Sequence, residues 1–221
     1  VKQIDTKHWG RYQNQVQVLH RDIWGHEWNA NGWVSQQALK LATAALSQNF
    51  HCVALDAKTI FVKALPNIVH HGKLSVGSLP VYSVFDASRQ IINRIWNIDL
   101  TQQLGPGGVP FWFDPCLVRA MIADIESRTK HAFVDWFQSQ GMLTEFLLYS
   151  GWIERTQGIG NTVTDNAITV CNLCHSEVSL ADKKLEQMQQ AHTVSIHRNA
   201  WHQLTAAQQQ AFTDLIHQRL Q

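Results

Sequence analysis

The stretch GWVSQQALKLATAALSQNFHCVALDAKTIFVKALP, residues 32–66, joins two kinds of apolar pattern. Its first half repeats at helical spacing: Ala38, Leu39, Leu41, Ala42, Ala45 and Leu46 share one broad face, with Ser35 placed to cap the helix. Ser47-Gln48-Asn49 breaks the repeat. Residues 50–55 are then an almost unbroken apolar run, which predicts a strand buried on both faces. The run stops at Asp56-Ala57-Lys58-Thr59, and Ile60, Phe61 and Val62 carry on towards Pro66. Open α/β sheets bind ligands at the carboxyl ends of their strands. The expectation is a central strand, parallel to its neighbours, with Asp56 at the mouth of the largest polar cleft.

Composition narrows the classes. A chain of 221 residues, 45% of them hydrophobic, suits one folded domain that buries roughly 70% of its unfolded surface. The formal net charge is +1 and no Lys/Arg block stands out, so the basic footprint of a nucleic-acid binder is missing. No run of about 18 apolar residues predicts a membrane span. With no basic-then-apolar leader and only four Cys, reduced thiols and a cytoplasmic location are expected. Nine Trp is a high count; such side chains fill cores, and they also line sugar sites.

Along the chain, Val16-Gln17-Val18-Leu19-His20 reads as a strand, and the Trp-rich segment holding His26 and Glu27 as a loop. Residues 73–76 and 81–85 read as short strands, followed by a helix from Asp86 with Ile91, Ile92, Ile95 and Trp96 on its face. Gly105-Pro106-Gly107-Gly108 is a breaker; without a following Gly-Lys-Ser/Thr it is a turn rather than a phosphate loop. Asp114-Pro115 begins a helix with Leu117, Val118, Met121, Ile122 and Ile125 inward. Further helices are expected from Phe133, from Thr144-Glu145 and over residues 180–190, with a loop over residues 156–166. Residues 167–171 and 192–197 read as strands, and Thr205 with Gln208 as the capping box of a last helix. Helix and strand alternate, so the class is α/β.

The pattern Gly-Trp-x-x-Gln-Gln-x-x-Lys-Leu, then a hydrophobic strand ending in Asp-x-x-Thr, resembles bacterial glycosyltransferases of nucleotide-diphosphosugar (GT-A) type. Trp33, Gln36, Gln37, Lys40, Leu41, Asp56 and Thr59 carry the resemblance, together with Thr144-Glu145-Phe146, Tyr149 and residues 194–201. It implies a GT-A-like fold, an open, mainly parallel sheet flanked by helices. Members of that family start with a further strand-helix unit, so a fragment lacking that unit is the expectation. It also implies transfer of a sugar from a nucleotide sugar donor to a glycan acceptor, in surface polysaccharide synthesis. Gln36, Gln37, Lys40, Asp56, Lys58, His197 and Arg198 would bind the donor, and Glu145 would be the base that takes the acceptor proton.

In that family the motif is Asp-x-Asp, and its carboxylates hold a divalent metal. Here Lys58 replaces the second Asp. Three readings stay open. Lys58 itself meets the diphosphate, or Mg²⁺ or Mn²⁺ binds through Asp56 and another carboxylate, or the chain is an inactive relative.

Cys171-Asn172-Leu173-Cys174-His175 carries the rival function. Cys-x-x-Cys-His is the haem c attachment pattern, and the same residues with His192 make a zinc reading. The plainer reading is two free thiols in a loop.

Overall fold

A computed structural model describes residues 14–28, 31–70, 73–165 and 168–220. The first helix, α1 (Gly32–Leu46), is capped by Asn31, whose side chain accepts from the Trp33 amide at 3.1 Å. Ser35, the expected cap, lies inside the helix, and its buried hydroxyl donates to Gln138. Two short strands follow, β1 (Cys52–Ala54) and β2 (Thr59–Phe61). Between them the Thr59 amide donates to the Asp56 carbonyl at 2.9 Å, closing a tight turn.

Next come β3 (Val69–His70), β4 (Lys73–Leu74), β5 (Ser78–Pro80), α2 (Asp86–Trp96), β6 (Gln102–Leu104) and β7 (Phe111–Phe113). Three helices then form the bulk of the first core: α3 (Pro115–Thr129), α4 (Phe133–Ser139) and α5 (Glu145–Thr156). The chain continues as α6 (Ile159–Thr162), β8 (Val170–Leu173), α7 (Ala181–Met188), β9 (Thr193–Ile196), α8 (Arg198–Trp201) and α9 (Ala206–Leu220).

The molecule is a mixed α/β structure, but among the described residues its strands do not form an open, mainly parallel sheet. β1 pairs antiparallel with β7, and β3 with β4 and β5 with β6 are antiparallel too. A three-stranded sheet runs β2-β9-β8, with β2 antiparallel to β9 and β8 parallel to it. The physical reason lies in residues 50–55. Phe50 is 92% exposed, and Val53 and Leu55 are exposed as well, leaving Ala54 as the buried residue of β1. An apolar run shows that a segment is apolar, not that both its faces are covered.

Other expectations shift for local reasons. Residues 16–20 carry no strand. Residues 83–85 are a 3₁₀ turn, and the strand lies earlier, at β5. Phe111–Phe113, which follows the Gly105–Gly108 turn, is the fully buried β7. The loop expected over residues 156–166 contains α6, while Asn166 lies outside the described residues. Asp114, Thr144 and Thr205 begin their helices as read: Asp114 accepts from the Cys116 and Leu117 amides, Thr144 from Leu147, and Thr205 from Gln208.

Two main cores result. The larger joins α1 to α5 with β6 and β7, and Phe111, Phe113, Phe146 and Tyr149 form its aromatic centre. The second packs β2, β8 and β9 against α7, α8 and α9 through Val62, Leu173, Met188, Val194 and Phe212. The chain crosses from one to the other at the turn between β1 and β2. Asp56 and Lys58 stand on that crossing.

Candidate functional site

Three segments far apart in sequence bring their polar side chains to this crossing. One turn of α1 supplies Gln36, Gln37 and Lys40, the β1–β2 turn supplies Asp56 and Lys58, and the first residue of α5 is Glu145. Helical spacing puts Gln36, Gln37 and Lys40 on adjacent positions of one face. Thr144 fixes where α5 begins and so where Glu145 stands.

The Lys40 ammonium lies 3.0 Å from Asp56 Oδ1 and 3.0 Å from Glu145 Oε1. It also sits over the Phe146 ring, 5.1 Å from the centroid. The Gln36 amide donates to Asp56 Oδ1 at 3.3 Å, and the Gln37 amide donates to the Glu145 carboxylate. Lys58 approaches the other Asp56 oxygen at 3.5 Å. Glu145 is 0% exposed, Lys40 is 13% exposed and Lys58 is 42% exposed at the side chain.

These surroundings set the protonation preferences. Burial opposes charge on Lys40, but Glu145 and Asp56 outweigh it and hold the ammonium above its ordinary pKa. Burial likewise opposes charge on Asp56, yet Lys40 and Lys58 outweigh it and hold this carboxyl below its ordinary range. Burial wins at Glu145. Its pKa is raised because the carboxyl is fully buried, and Lys40, shared with Asp56, offsets that only in part.

Asp56 borders two concavities. One of about 210 Å³ is lined by Trp33, Gln37, Lys40, Glu145 and Phe146, with Gly107 and Gln103 opposite. The other, about 150 Å³, is lined by Lys58, Gly108, Phe146, Asn172, Ser195 and His197. Lys58 and His197 continue into a third, of about 530 Å³, with Arg198, Trp201 and His202. The first two share Asp56 and Phe146, and the last two share Lys58 and His197, so the three adjoin and together make up a groove. Asp56 stands where the first two concavities adjoin and does not line the third. A separate polar hollow on α2, about 460 Å³, holds Arg89 already paired with Asp86 and Asp99 and none of the motif residues.

His197 and Arg198 lie in the outer part of this groove, apart from the Lys40 cluster. His197 Nδ1 accepts from the Asn199 amide at 3.2 Å, capping α8, and Arg198 is exposed at its start. Asn172, Ser195 and Gln103 line the groove although sequence reading passed over them. Alternation held the signal for the first two: Cys171 and Leu173 turn into the second core, so Asn172 faces the other way, as Ser195 does on β9.

The divalent ion implied by the resemblance does not fit this donor set. Both Asp56 oxygens face ammonium groups, Lys58 occupies the second motif position, and among the described residues no three His, Cys, Asp or Glu side chains converge. The haem and zinc reading meets a different obstacle. Cys171 is 3% exposed in the second core, its thiol donating to the Lys184 carbonyl, whereas Cys174 is exposed beyond the end of β8. His192 stands at the opposite end of β8, where Nδ1 accepts from the Thr169 amide.

The model of a family of unknown function (DUF6492) matches residues 12–216, nearly the whole chain. This chain belongs to that family. No curated protein matches the DUF6492 chain. No helix among its described residues is long and apolar enough to cross a membrane.

Proposed function

We propose that this DUF6492 chain is a glycosyltransferase that moves a sugar from a nucleotide-diphosphate donor to a hydroxyl acceptor. The observation that carries the reading is the Asp56–Lys40–Glu145 ion-pair set, built from the motif residues at the wall of a groove. The groove has the parts such a transfer needs. Lys58, His197 and Arg198 give its outer part cationic and hydrogen-bonding groups for a diphosphate. Trp33, exposed at the inner part, gives it a flat apolar face against which a sugar ring can lie.

In the reaction the acceptor oxygen attacks the anomeric carbon, and the bond from that carbon to the diphosphate oxygen breaks. The diphosphate leaves with the bonding electrons. The acceptor proton goes to Glu145, whose raised pKa suits a base better than the depressed pKa of Asp56. Lys40 and Gln37 hold the receiving carboxylate in place.

Titration calorimetry with UDP, GDP and CDP, followed by transfer assays with the matching sugar nucleotides, tests this. At least one nucleotide should bind, and Lys58→Ala and Arg198→Ala should each weaken it by about tenfold. Glu145→Gln should leave binding within about twofold and cut transfer by roughly 10²–10⁴. Absence of binding to all three nucleotides defeats the proposal. Binding without transfer in the wild-type protein selects a second reading, an inactive nucleotide-binding relative, which Lys58 at the motif's second position favours.

A further inference from the structure

We propose that the Lys40 ammonium is the resident cation of this groove, standing where a transferase of this kind would hold a divalent metal, so that an anionic diphosphate binds without one. Two carboxylate oxygens, from Asp56 and Glu145, each lie 3.0 Å from a single nitrogen. The Phe146 ring closes a further side of that nitrogen at 5.1 Å. Gln36 and Gln37 donate to the same two carboxylates, fixing where their lone pairs point. The cation is thus covalently attached, nearly buried and held from three directions.

Charge counting opposes an added divalent ion here. Two carboxylates meet two ammonium groups, Lys40 and Lys58. A divalent ion on Asp56 would sit within contact range of both ammoniums, in a site with little water to screen the repulsion. The two lysines also divide the work. Lys40 is locked, whereas Lys58 makes one longer contact, 3.5 Å, and is 42% exposed, so it is the ammonium able to swing to a ligand.

The same geometry makes the idea testable without a substrate. Removing the ammonium leaves two carboxylate oxygens already aimed at one point, and oxygen ligands of Ca²⁺ stand at about 2.3–2.6 Å. A contraction of roughly half an ångström on each side gives the start of a cation site. Calorimetric titration of the ligand-free protein with MnCl₂ and CaCl₂ should detect no stoichiometric binding to the wild type. Lys40→Met should bind Mn²⁺ or Ca²⁺ at least about tenfold more tightly, and adding Asp56→Asn should abolish the gain. Should Lys40→Met fail to fold, Lys40→Gln, which keeps a donor to one carboxylate, replaces it, and the wild-type titration still decides.

Stoichiometric Mn²⁺ binding to the wild type, lost in Asp56→Asn, overturns the inference. So does UDP binding that disappears in excess EDTA and returns with Mn²⁺. The nucleotide part rests on the transferase reading above. If UDP, GDP and CDP all fail to bind with and without metal, that reading falls on its own, because the metal titration is independent of it.

Discussion

Asp56 and Glu145 share one ammonium, yet their titrations are pushed in opposite directions. Asp56 is only partly buried and has two lysines, so its pKa falls; Glu145 is fully buried and shares one lysine, so its pKa rises. The signs follow by linkage. The charge on Asp56 stabilises the fold above its ordinary value of 3.8, and that contribution is lost as pH falls through the depressed folded value. Glu145 favours the fold when protonated, so its contribution is full below its ordinary value of 4.5 and is lost as pH rises through the raised folded value. Melting curves of the wild type, Asp56→Asn and Glu145→Gln across acid pH separate the two. The deficit of Asp56→Asn should shrink as pH drops below 3.8, while Glu145→Gln should gain on the wild type as pH climbs above 4.5. Parallel curves at all pH would show that neither carboxylate is placed as described. Glu145→Ala should cost about 3 kcal/mol, since it leaves a nearly buried ammonium with one partner instead of two.

Among the elements, α5 carries the most consequence, because its first residue is Glu145 and its middle touches α2. A Cβ on Gly151 would stand 2.7 Å from Ile92 Cγ2 and 3.3 Å from Trp96 Cζ3, both buried side chains of α2. Only glycine permits that approach. Gly151→Ala should therefore destabilise the fold by about 1–3 kcal/mol by overpacking, visible as a lower denaturation midpoint with an unchanged slope. An unchanged midpoint would mean that α2 and α5 are further apart. Helix starts such as Thr144 and Asp114-Pro115 were legible in the sequence because a cap is settled within three or four residues. Strand partners were not. β1 is three residues long, and its pairing with β7 depends on a segment more than fifty positions away.

At the scale of the whole molecule, the second core decides what the Cys-x-x-Cys-His segment can do. Burial raises the Cys171 thiol pKa and packing shields it, while Cys174 and Cys116 are exposed and Cys52 is half-buried. Alkylation with iodoacetamide, read by mass spectrometry, should label Cys116 and Cys174 first. Cys171 should react at least about a hundredfold more slowly, following unfolding. Equal rates at Cys171 and Cys174 would place β8 outside the core and reopen the haem and zinc readings.

The sequence by itself determined the mixed α/β class, most of the helices and their caps, and the residues that converge at the groove: Gln36, Gln37, Lys40, Asp56, Lys58 and Glu145. The class and the helices rest on periodicity and caps, and Asp56 on a polar interruption of an apolar run, whereas Gln36, Gln37, Lys40, Lys58 and Glu145 were marked by the resemblance to GT-A glycosyltransferases. Only the tertiary structure decided that the strands form small, mostly antiparallel sheets, because burial of residues 50–55 depends on what covers them. It alone made Lys40 the shared partner of two carboxylates, since Asp56 lies 16 positions and Glu145 more than a hundred positions from it. It also separated Cys171 from Cys174, because a four-residue strand turns alternate side chains to opposite faces and one face of β8 is core.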